Sequence, residues 1–347
     1  MIFIVLGGIA LFVYLFLNYY PAFGGKVPKR QRFENLIPTS MGMNGENMLS
    51  MLKDYMRGNP KRRPPKALPF EKVRLPLEAS QPKITWFGHS TFIIEINGKT
   101  LLLDPMFGRT PSPFPMFGAG RFSQALPLRV EDLPEIDIVL ISHDHYDHLD
   151  HSSISKIKDK VKQFLVPLGV GSHLVRWGVN PAHIHELNWW DELSLGEFDF
   201  ACTPARHFSG RNVTNRDSTL WCSWVIKSEQ TSLFFSGDSG YGPHFKEIGE
   251  KHGPFELTLM ECGQYDRRWE AIHMFPEQTV QAHIDLNGKW MIPIHWGAFT
   301  LSLHDWTDPI ERVTKAANEK DVKIATPKIG EPVMIGSEKY PQTAWWR

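Results

Sequence analysis

The chain has 347 residues, of which 42% are hydrophobic and 22% are charged, so it can form one large globular domain or two modest ones. Its formal net charge is zero, which argues against a nucleic acid as partner because no basic excess is present to meet a polyanion. Its three cysteines contain no Cys-x-x-Cys pair, which argues against a disulfide framework and against a cysteine zinc site.

The N-terminal stretch predicts a membrane anchor. Residues 2–17 are apolar and uncharged, and residues 18–20 extend the stretch to a length that can just span a bilayer. A basic cluster follows closely, at Lys26, Lys29, Arg30 and Arg32. By the positive-inside rule this flank predicts a catalytic domain on the cytoplasmic face of the membrane, and a secreted or outward-facing enzyme is the alternative.

We expect three parts along the chain: a transmembrane anchor at 1–20, a linker and lead-in segment at 21–68, and a catalytic domain at 69–347. Within the lead-in segment, residues 48–57 have the spacing of a short amphipathic helix. The basic run from Lys61 to Lys66 is compatible with contact to anionic lipid head groups, and equally with a solvated linker.

The catalytic domain opens with strand patterns. Residues 83–88 and 91–96 predict paired strands around a Gly-His-Ser bend, and Asn97-Gly98 is a hairpin signal before a strand at 100–103. Residues 106–128 are rich in proline and glycine and predict a long loop, which in a compact domain is usually functional or mobile. Farther on, strand and helix patterns alternate, and this alternation favours a layered α/β architecture.

The central motif follows an apolar strand pattern at 136–141. It carries His143, His145, Asp147 and His148 within six positions, so several ligands point at one place. The first two histidines lie on one side of an extended or tightly turned backbone, and the other two residues can face a second position about 3.5–4 Å away, the spacing of a two-metal site. Nitrogen and oxygen ligands without sulfur suit zinc, and manganese or iron less exclusively.

Three further strand-like segments end in a metal-ligand type of residue. His207 comes shortly after the segment 198–202, Asp238 follows the segment 232–236, and His295 ends the segment 290–294. Each of these is weak evidence alone, because polar residues at strand ends are common. Together with the 143–148 motif they complete two coordination spheres.

These motifs resemble the metallo-β-lactamase superfamily, and within it the branch of N-acyl-phosphatidylethanolamine-hydrolysing phospholipase D and its bacterial relatives. The resemblance is carried by His-Asp-His-Tyr-Asp-His-Leu-Asp at 143–150, Gly-Asp-Ser-Gly-Tyr at 237–241 and Pro-Ile-His-Trp-Gly-Ala-Phe at 293–299. It covers most of residues 20–310. It implies an α/β fold, an αββα four-layer sandwich with the metals at one edge between its two sheets.

The family pattern, carried over residue by residue, implies two zinc ions per chain. The resemblance implies that His143, His145 and His207 bind one zinc ion and that Asp147, His148 and His295 bind the other. It implies that Asp238 bridges the two ions. This sequence matches all seven positions. It departs from the pattern at Asp144, where many relatives have Asn, and at residues 261–265, which bears on substrate fit rather than on metal binding.

The resemblance also implies a phospholipase D-type phosphodiesterase that cleaves phospholipids such as N-acyl-phosphatidylethanolamine with metal-activated water. We assign catalytic roles to Asp147 and Asp238, and we expect His304 to be the proton donor because it is close to His295 in the sequence. The candidates for substrate binding are Tyr146, Arg206, Arg267 and Arg268. The residues expected to orient the imidazoles are Asp104 and Asp150.

The main alternative is a zinc hydrolase of a small soluble ester, lactone or phosphorylated sugar lactone, because the same dinuclear site serves both reactions. A β-lactamase is disfavoured by Asp238, which stands where those enzymes commonly place a cysteine ligand. A membrane-tethered scaffold protein is disfavoured by the complete ligand set. The expected partners are a phospholipid or small-molecule substrate and a membrane, and a homodimer is compatible with the sequence.

Overall fold

Two β-sheets stacked against each other form the centre of the computed structural model, which describes residues 16, 20–25, 32–42, 44–73, 75, 81–114, 116, 118–212 and 214–347. In this described part the first sheet has seven strands: β1 Lys83–Trp86, β2 Phe92–Ile96, β3 Lys99–Leu103, β4 Ile136–Leu140, β5 Val161–Pro167, β6 Ile184–Leu187 and β13 Pro332–Met334. The second sheet has six: β7 Glu192–Leu195, β8 Phe198–Thr203, β9 Ser223–Ser228, β10 Thr231–Phe235, β11 Phe255–Glu261 and β12 Gly288–Ile294. The α-helices are α1 Gly45–Arg57, α2 His151–Ile157, α3 Gly171–Arg176, α4 His244–His252, α5 Pro276–Asp285 and α6 Asp308–Glu319.

Each sheet contains a run of parallel strands, four of the seven in the first sheet and three of the six in the second. The first sheet has the order β13-β1-β2-β3-β4-β5-β6, in which β3 to β6 run parallel. The second has the order β12-β11-β10-β9-β8-β7, in which β10, β11 and β12 run parallel. Parallel neighbours need a crossover, and α2, α3, α4 and α5 lie in these connections. The carboxyl ends of the parallel strands therefore meet at one edge of each sheet.

The hairpin between β2 and β3 confirms the prediction made from Asn97-Gly98. Ile96 pairs with Lys99, and Phe92 pairs with Leu103 at the far end of the two strands. Both turn residues have positive φ, 51° for Asn97 and 72° for Gly98. A two-residue hairpin of this kind requires positive φ at both positions, which Asn and Gly adopt most readily.

Alternating side chains of the strands fill two separate apolar cores. Leu101 and Leu103 of β3 join the main core together with residues of the second sheet, whereas Leu102 joins a second core with side chains of α2 and α3. Trp224 of β9 donates its indole N–H to the carbonyl of Ile141 at 2.9 Å, so the two sheets are in direct contact. The predicted two-sheet α/β fold is thus confirmed.

The predicted membrane anchor has to be corrected. Across the described residues, no helix combines the length and the apolar character needed to cross a bilayer. The placement of the catalytic domain on the cytoplasmic face by a single N-terminal helix is therefore not supported. Residues 1–15 and 17–19, which carry most of that prediction, lie outside the described part of the chain.

The lead-in segment lies against the sandwich. Asn35 donates to the carbonyl of His207 at 2.8 Å, and Asn59 donates to the carboxylate of Asp305 at 2.7 Å. The helix predicted at 48–57 is present as α1 and begins three residues earlier, because the side chain of Asn44 accepts the N–H of Asn47 at 2.8 Å and caps it. The division of the chain at residue 68 stays a prediction.

Candidate metal centre

Six strands deliver polar side chains to one edge of the two sheets. Each of these residues ends a strand or follows it closely: Asp104 after β3, His143 after β4, His207 after β8, Asp238 after β10, Glu261 at the end of β11 and His295 after β12. The strands are largely buried apolar runs, so packing fixes where their ends lie. The structure thus brings His207, Asp238 and His295 to the 143–148 motif.

The first group of ligand atoms contains His143, His145, His207 and Asp238, whose donor atoms lie within 4.8 Å of one another. His145 Nδ1 lies 2.9 Å from His143 Nε2 and 3.2 Å from His207 Nε2. The Asp238 Oδ2 atom lies 3.7 Å from His143 Nε2 and 3.8 Å from His207 Nε2. Three imidazole nitrogens and one carboxylate oxygen therefore face one point.

The second group contains His89, Asp147, His148 and His295. His148 Nε2 lies 3.4 Å from Asp147 Oδ2, and His295 Nε2 lies 3.9 Å from the same oxygen. The other carboxylate oxygen of Asp238, Oδ1, lies 3.1 Å from His148 Nε2 and 3.0 Å from His295 Nδ1. Asp238 thus turns one oxygen toward each group, the arrangement expected of a bridge.

Gly237 allows Asp238 to reach this position. Its φ is +55°, and a Cβ atom built there would lie 2.7 Å from the Cβ of Ser142 and 2.9 Å from the carbonyl oxygen of Cys222. Only glycine combines this backbone conformation with so close an approach of the two strand ends. The Gly-Asp sequence therefore sets the distance between Asp238 and the 143–148 motif.

Hydrogen bonds behind the two groups fix the imidazole rings. Asp104 accepts from His148 Nδ1 at 2.6 Å and from the backbone N–H and hydroxyl of Ser142 at 2.7 and 2.6 Å. His207 Nδ1 lies 3.0 Å from the carbonyl oxygen of Ile272, which leaves Nε2 facing Asp238. Partners of this kind set the tautomer and the orientation of metal-binding histidines. Asp104 occupies the orienting position that we expected.

Burial and neighbouring charges set the protonation of these groups. Burial lowers the pKa of His143 and His207 well below the usual value, so both imidazoles are neutral at pH 7. Burial alone would raise the pKa of Asp238. The nearby His148 and His295 outweigh burial and hold this pKa well below its usual range. Neutral imidazoles and ionised carboxylates are the forms that bind metal cations.

His148 has the opposite shift. Burial disfavours its charged form, but Asp238, Asp147 and Asp104 outweigh burial and raise the pKa of His148 well above its usual value. Three carboxylates around one imidazole create a strongly negative position. A cation placed among them would neutralise this charge.

Two buried ligand atoms without hydrogen-bond partners indicate that these residues fit a metal ion. Among the described residues, neither His148 Nε2 nor Asp238 Oδ1 has a hydrogen-bond partner, although both are buried and lie 3.1 Å apart. A buried polar atom without a partner is costly, and a cation bound to both atoms would remove that cost. Nitrogen and oxygen donors suit divalent first-row metal ions, so these residues are chemically able to bind such an ion.

Sequence reasoning missed three residues of this region as functional residues. His89 lies in the bend after β1, and its Nε2 atom lies 2.8 Å from Asp147 Oδ2. Glu261 and His273 pair at 2.9 Å beside Asp238 and His295. Glu261 ends a strand, as His295 follows one, so the same signal would have found it. His273 lies in a loop and carries no such signal.

The structure does not bring all the other predicted residues to the metal centre. Asp150 caps α2 by accepting from Ser153 N–H at 2.9 Å, so it does not orient an imidazole. His304 uses both ring nitrogens away from the centre: Nε2 accepts from the Gln264 N–H at 2.9 Å, and Nδ1 donates to the Asp305 carbonyl at 2.8 Å. Both ring nitrogens of His304 are therefore engaged by the backbone, and its role as proton donor stays a prediction.

The four residues proposed for substrate binding lie in different surroundings. Tyr146 donates its hydroxyl to the carbonyl of Arg211. Arg206 donates to Thr39 and to two backbone carbonyls, and thereby holds the lead-in segment in place. Arg267 is exposed and lines a different surface cavity. Of the four, Arg268 lines the cavity at the centre, and it is already paired with Asp266 at 2.6 Å.

A cavity of about 280 Å³ opens above the two groups of ligand atoms. Its polar floor includes His145, Asp147, Asp238, His273 and His295. Its walls are mainly apolar and include Met41, Met48, Met51, Phe208, Trp269 and Leu301. The centre therefore lies at the bottom of a hydrophobic pocket, of which Met48 and Met51 belong to α1.

Comparison with known proteins identifies relatives over most of the chain. An uncharacterized protein of Mycobacterium tuberculosis strain ATCC 25618 / H37Rv is 39% identical over 322 residues, which cover 91% of this chain and 86% of that protein. N-acyl-phosphatidylethanolamine-hydrolyzing phospholipase D 1 of Caenorhabditis elegans is 31% identical over 265 residues, which cover 71% and 74%. The mitochondrial enzyme of the same name from Saccharomyces cerevisiae is 32% identical over 246 residues, which cover 67% of this chain and 51% of that protein.

Solved structures share the fold. Igni18, a metallo hydrolase from the archaeon Ignicoccus hospitalis, has a TM-score of 0.58 at 21% identity and covers 75% of this chain and 100% of its own. The isothiocyanate hydrolase from Delia radicum gut bacteria has a TM-score of 0.56 at 20% identity, with 74% and 100% covered. A family profile described as the beta-lactamase superfamily domain matches residues 99–296, more than half of the chain. The chain therefore belongs to the metallo-β-lactamase superfamily and is a metal-dependent hydrolase.

Proposed function

We propose that the protein is a dinuclear zinc phosphodiesterase that cleaves phospholipids of the N-acyl-phosphatidylethanolamine type. The observation that carries the proposal is the apolar cavity directly above the candidate metal centre, because a phosphodiester bearing long acyl chains needs an apolar wall beside its reacting group. Two relatives with more than 30% identity carry the name of this activity. In the reaction, the oxygen of water bonds to phosphorus and the bond from phosphorus to the head-group oxygen breaks. That oxygen takes up a proton, so N-acylethanolamine leaves and phosphatidic acid remains.

The proposed ligands of the two ions are the seven residues that the sequence singled out. His143, His145 and His207 would hold one ion, Asp147, His148 and His295 would hold the other, and Asp238 lies between the two groups. Divalent ions held there would lower the pKa of water and would stabilise the negative charge that develops on the phosphoryl oxygens. Zinc is our choice among the metals that suit nitrogen and oxygen donors, with manganese or iron as alternatives.

His273 is the proton donor that we propose for the leaving oxygen. Its ring lines the floor of the cavity, 5.0 Å from the ring of His207 and 5.2 Å from that of His295. Burial disfavours the charged ring, but Glu261 outweighs this and raises the pKa of His273. Glu261 also accepts the N–H of Met274 at 2.9 Å, so the pair is held in place. An imidazole that is kept protonated in this way can give its proton to a leaving oxygen.

The direct test is to incubate the purified, zinc-loaded protein with a total phospholipid extract containing N-acyl-phosphatidylethanolamine and to follow the lipid species by mass spectrometry. We expect loss of that lipid and a matching gain of phosphatidic acid. The variant His143→Ala should lose this conversion. The matched control His185→Ala removes a histidine of the edge strand β6 that bonds Gln163 of β5, and this variant should keep the conversion.

The lipid profile also separates the proposal from its alternative. Metal content is measured on the same samples by mass spectrometry of the elements. An unchanged lipid profile in a sample with two metal ions per chain would refute the phospholipase assignment. It would favour a small soluble ester or lactone as substrate, with the same metal centre.

A further inference from the structure

Helix α1 is attached to the rest of the protein by its polar side. Arg268 donates to the hydroxyl of Ser50 at 3.2 Å and to the carboxylate of Asp54 at 2.9 Å. None of the 13 residues of α1, all of which are described, is buried. The helix thus rests on the domain through hydrogen bonds and an ion pair rather than through an apolar stripe.

The apolar side of α1 is exposed. Leu49 and Met56 are 68% and 78% exposed, and Met48, Leu52 and Tyr55 are exposed as well. A surface helix of a globular protein normally turns its apolar stripe toward the core. Here the orientation is reversed, so one helix presents a contiguous group of large apolar side chains outward. Such a group marks a surface that contacts a partner.

The surroundings of this apolar side are strongly basic. Residues 53–66 contain six basic residues, Lys53, Arg57, Lys61, Arg62, Arg63 and Lys66, against one acidic residue, Asp54, which gives a net charge of 6 − 1 = +5. All of the basic residues except Arg62 are exposed. Apolar side chains beside a cluster of basic ones match a bilayer that carries anionic lipids, because both the acyl region and the head groups find a partner.

The same helix borders the entrance to the candidate metal centre. Met48 and Met51 line the cavity whose floor holds Asp147 and Asp238. Met51 also lines a neighbouring groove of about 880 Å³, together with Leu52 and Tyr55. Molecules at the exposed side of α1 are therefore next to the opening of the cavity.

We propose that α1 and the basic segment 57–66 form a docking surface for an anionic phospholipid bilayer, with the helix lying in the plane of the interface. Leu49 and Met56 enter the acyl boundary, and the basic side chains contact the head groups. The role of this surface in substrate access rests on the proposed function. The docking itself needs no turnover and can be measured separately.

Vesicle binding of the full-length protein tests the proposal. Sedimentation with vesicles of phosphatidylcholine plus phosphatidylglycerol is compared for the wild type and for the double variant Leu49→Ser/Met56→Ser. Neither residue lines either cavity. Burial of large apolar side chains implies that the partition coefficient of the double variant falls by about tenfold or more for each side chain. Binding of the wild type should also weaken when the salt concentration is raised, and when the vesicles contain phosphatidylcholine alone.

The matched control removes an exposed apolar residue elsewhere. Val175 on α3 is exposed, and Val175→Ser should bind vesicles as the wild type does. Circular dichroism and the thermal midpoint confirm that each variant is folded. Turnover of a short-chain substrate below its micelle concentration should be the same in the wild type and the double variant. A loss of vesicle binding with normal turnover separates docking from catalysis.

A local probe reports the position of the helix. The three natural cysteines, Cys202, Cys222 and Cys262, are free and buried, so Met56→Cys offers an exposed thiol for a polarity-sensitive fluorophore. We expect a blue shift of its emission when anionic vesicles are added, and no shift for a label on Val175→Cys.

Three results of the vesicle experiments would overturn the proposal. They are absence of wild-type binding to anionic vesicles, equal binding by the wild type and the double variant, and an unchanged emission of the label at position 56. Sedimentation velocity without vesicles tests whether a second copy of the chain, rather than a membrane, binds to this surface. If the double variant converts a dimer into a monomer, α1 is an interface between two copies of the chain, and the membrane assignment is wrong.

Discussion

The substitution Asp104→Asn tests how the structure prepares the second group of ligands. Asp104 is completely buried and accepts hydrogen bonds from His148 Nδ1 at 2.6 Å and from the Ser142 hydroxyl at 2.6 Å through the same oxygen, Oδ2. The backbone N–H of Ser142 already donates to Oδ1, so the amide NH₂ of Asn would occupy the position of Oδ2. That group donates, and His148 Nδ1 would then have to accept.

In the neutral form that binds a metal ion, the single ring proton of His148 would then lie on Nε2, the nitrogen that faces Asp147 and Asp238. A protonated Nε2 has no lone pair for a metal ion. Loss of an orienting partner typically weakens metal binding by about 10- to 100-fold, which corresponds to about 1.4 to 2.7 kcal/mol. We expect this loss for the ion held by Asp147, His148 and His295, and a smaller effect on the ion held by the other three histidines.

The assay is a competition titration of zinc with a chelating dye, in which the two ions give separate steps. Asp150→Asn is the matched control, because Asp150 caps α2 and touches no metal-ligand candidate. It should cost about 1 kcal/mol of unfolding free energy or less and leave both zinc affinities unchanged. If Asp104→Asn keeps both affinities within twofold of the wild type, the reasoning from tautomers is refuted.

Three further predictions concern other parts of the molecule. His273→Gln should lower kcat by about 10²-fold or more with unchanged metal content, whereas His304→Gln should leave kcat nearly unchanged; equal effects would contradict the choice of proton donor. Asp238→Asn should lower metal content and abolish turnover, and full activity would exclude a bridging role. Burial lowers the pKa of His283 to about 4, so below pH 6.5 the unfolded chain binds a proton that the folded chain does not. Stability should therefore fall as the pH drops, by about 1 kcal/mol between pH 6 and 5, and urea unfolding of His283→Gln should lack this contribution.

The positions at the candidate metal centre could be anticipated because they follow a simple rule of chain geometry. A buried apolar run has little freedom, so the polar residue at its end is fixed in space, as for Asp238 after β10 and His295 after β12. The hairpin at Asn97-Gly98 follows a similarly local rule of backbone conformation. Glu261 ends the buried strand β11, so the rule about polar residues at strand ends would have added it to the site.

Other residues could not be placed from the sequence because their orientation depends on tertiary contacts. His304 is close to His295 along the chain, yet its ring is held by Gln264 and Asp305 and is turned away from the centre. Arg206 is adjacent to a proposed ligand, yet its guanidinium donates to the Thr39 hydroxyl and the Pro38 carbonyl of the lead-in segment. In α1 the amphipathic pattern predicted a helix, but only the contact of Asp54 with Arg268 shows which side faces the domain.

The origin of the proposed ligands also makes the metal ions a link between the two layers of the protein. The 143–148 residues come from the first sheet, whereas His207, Asp238 and His295 come from the second. Ions shared by them would close a loop of about 150 residues, from 143 to 295, and would join the two sheets at the edge where the candidate ligands lie. Metal would then bind only after both halves of the chain have docked, so its retention reports completed folding. A chelator should loosen the whole sandwich rather than only its active site.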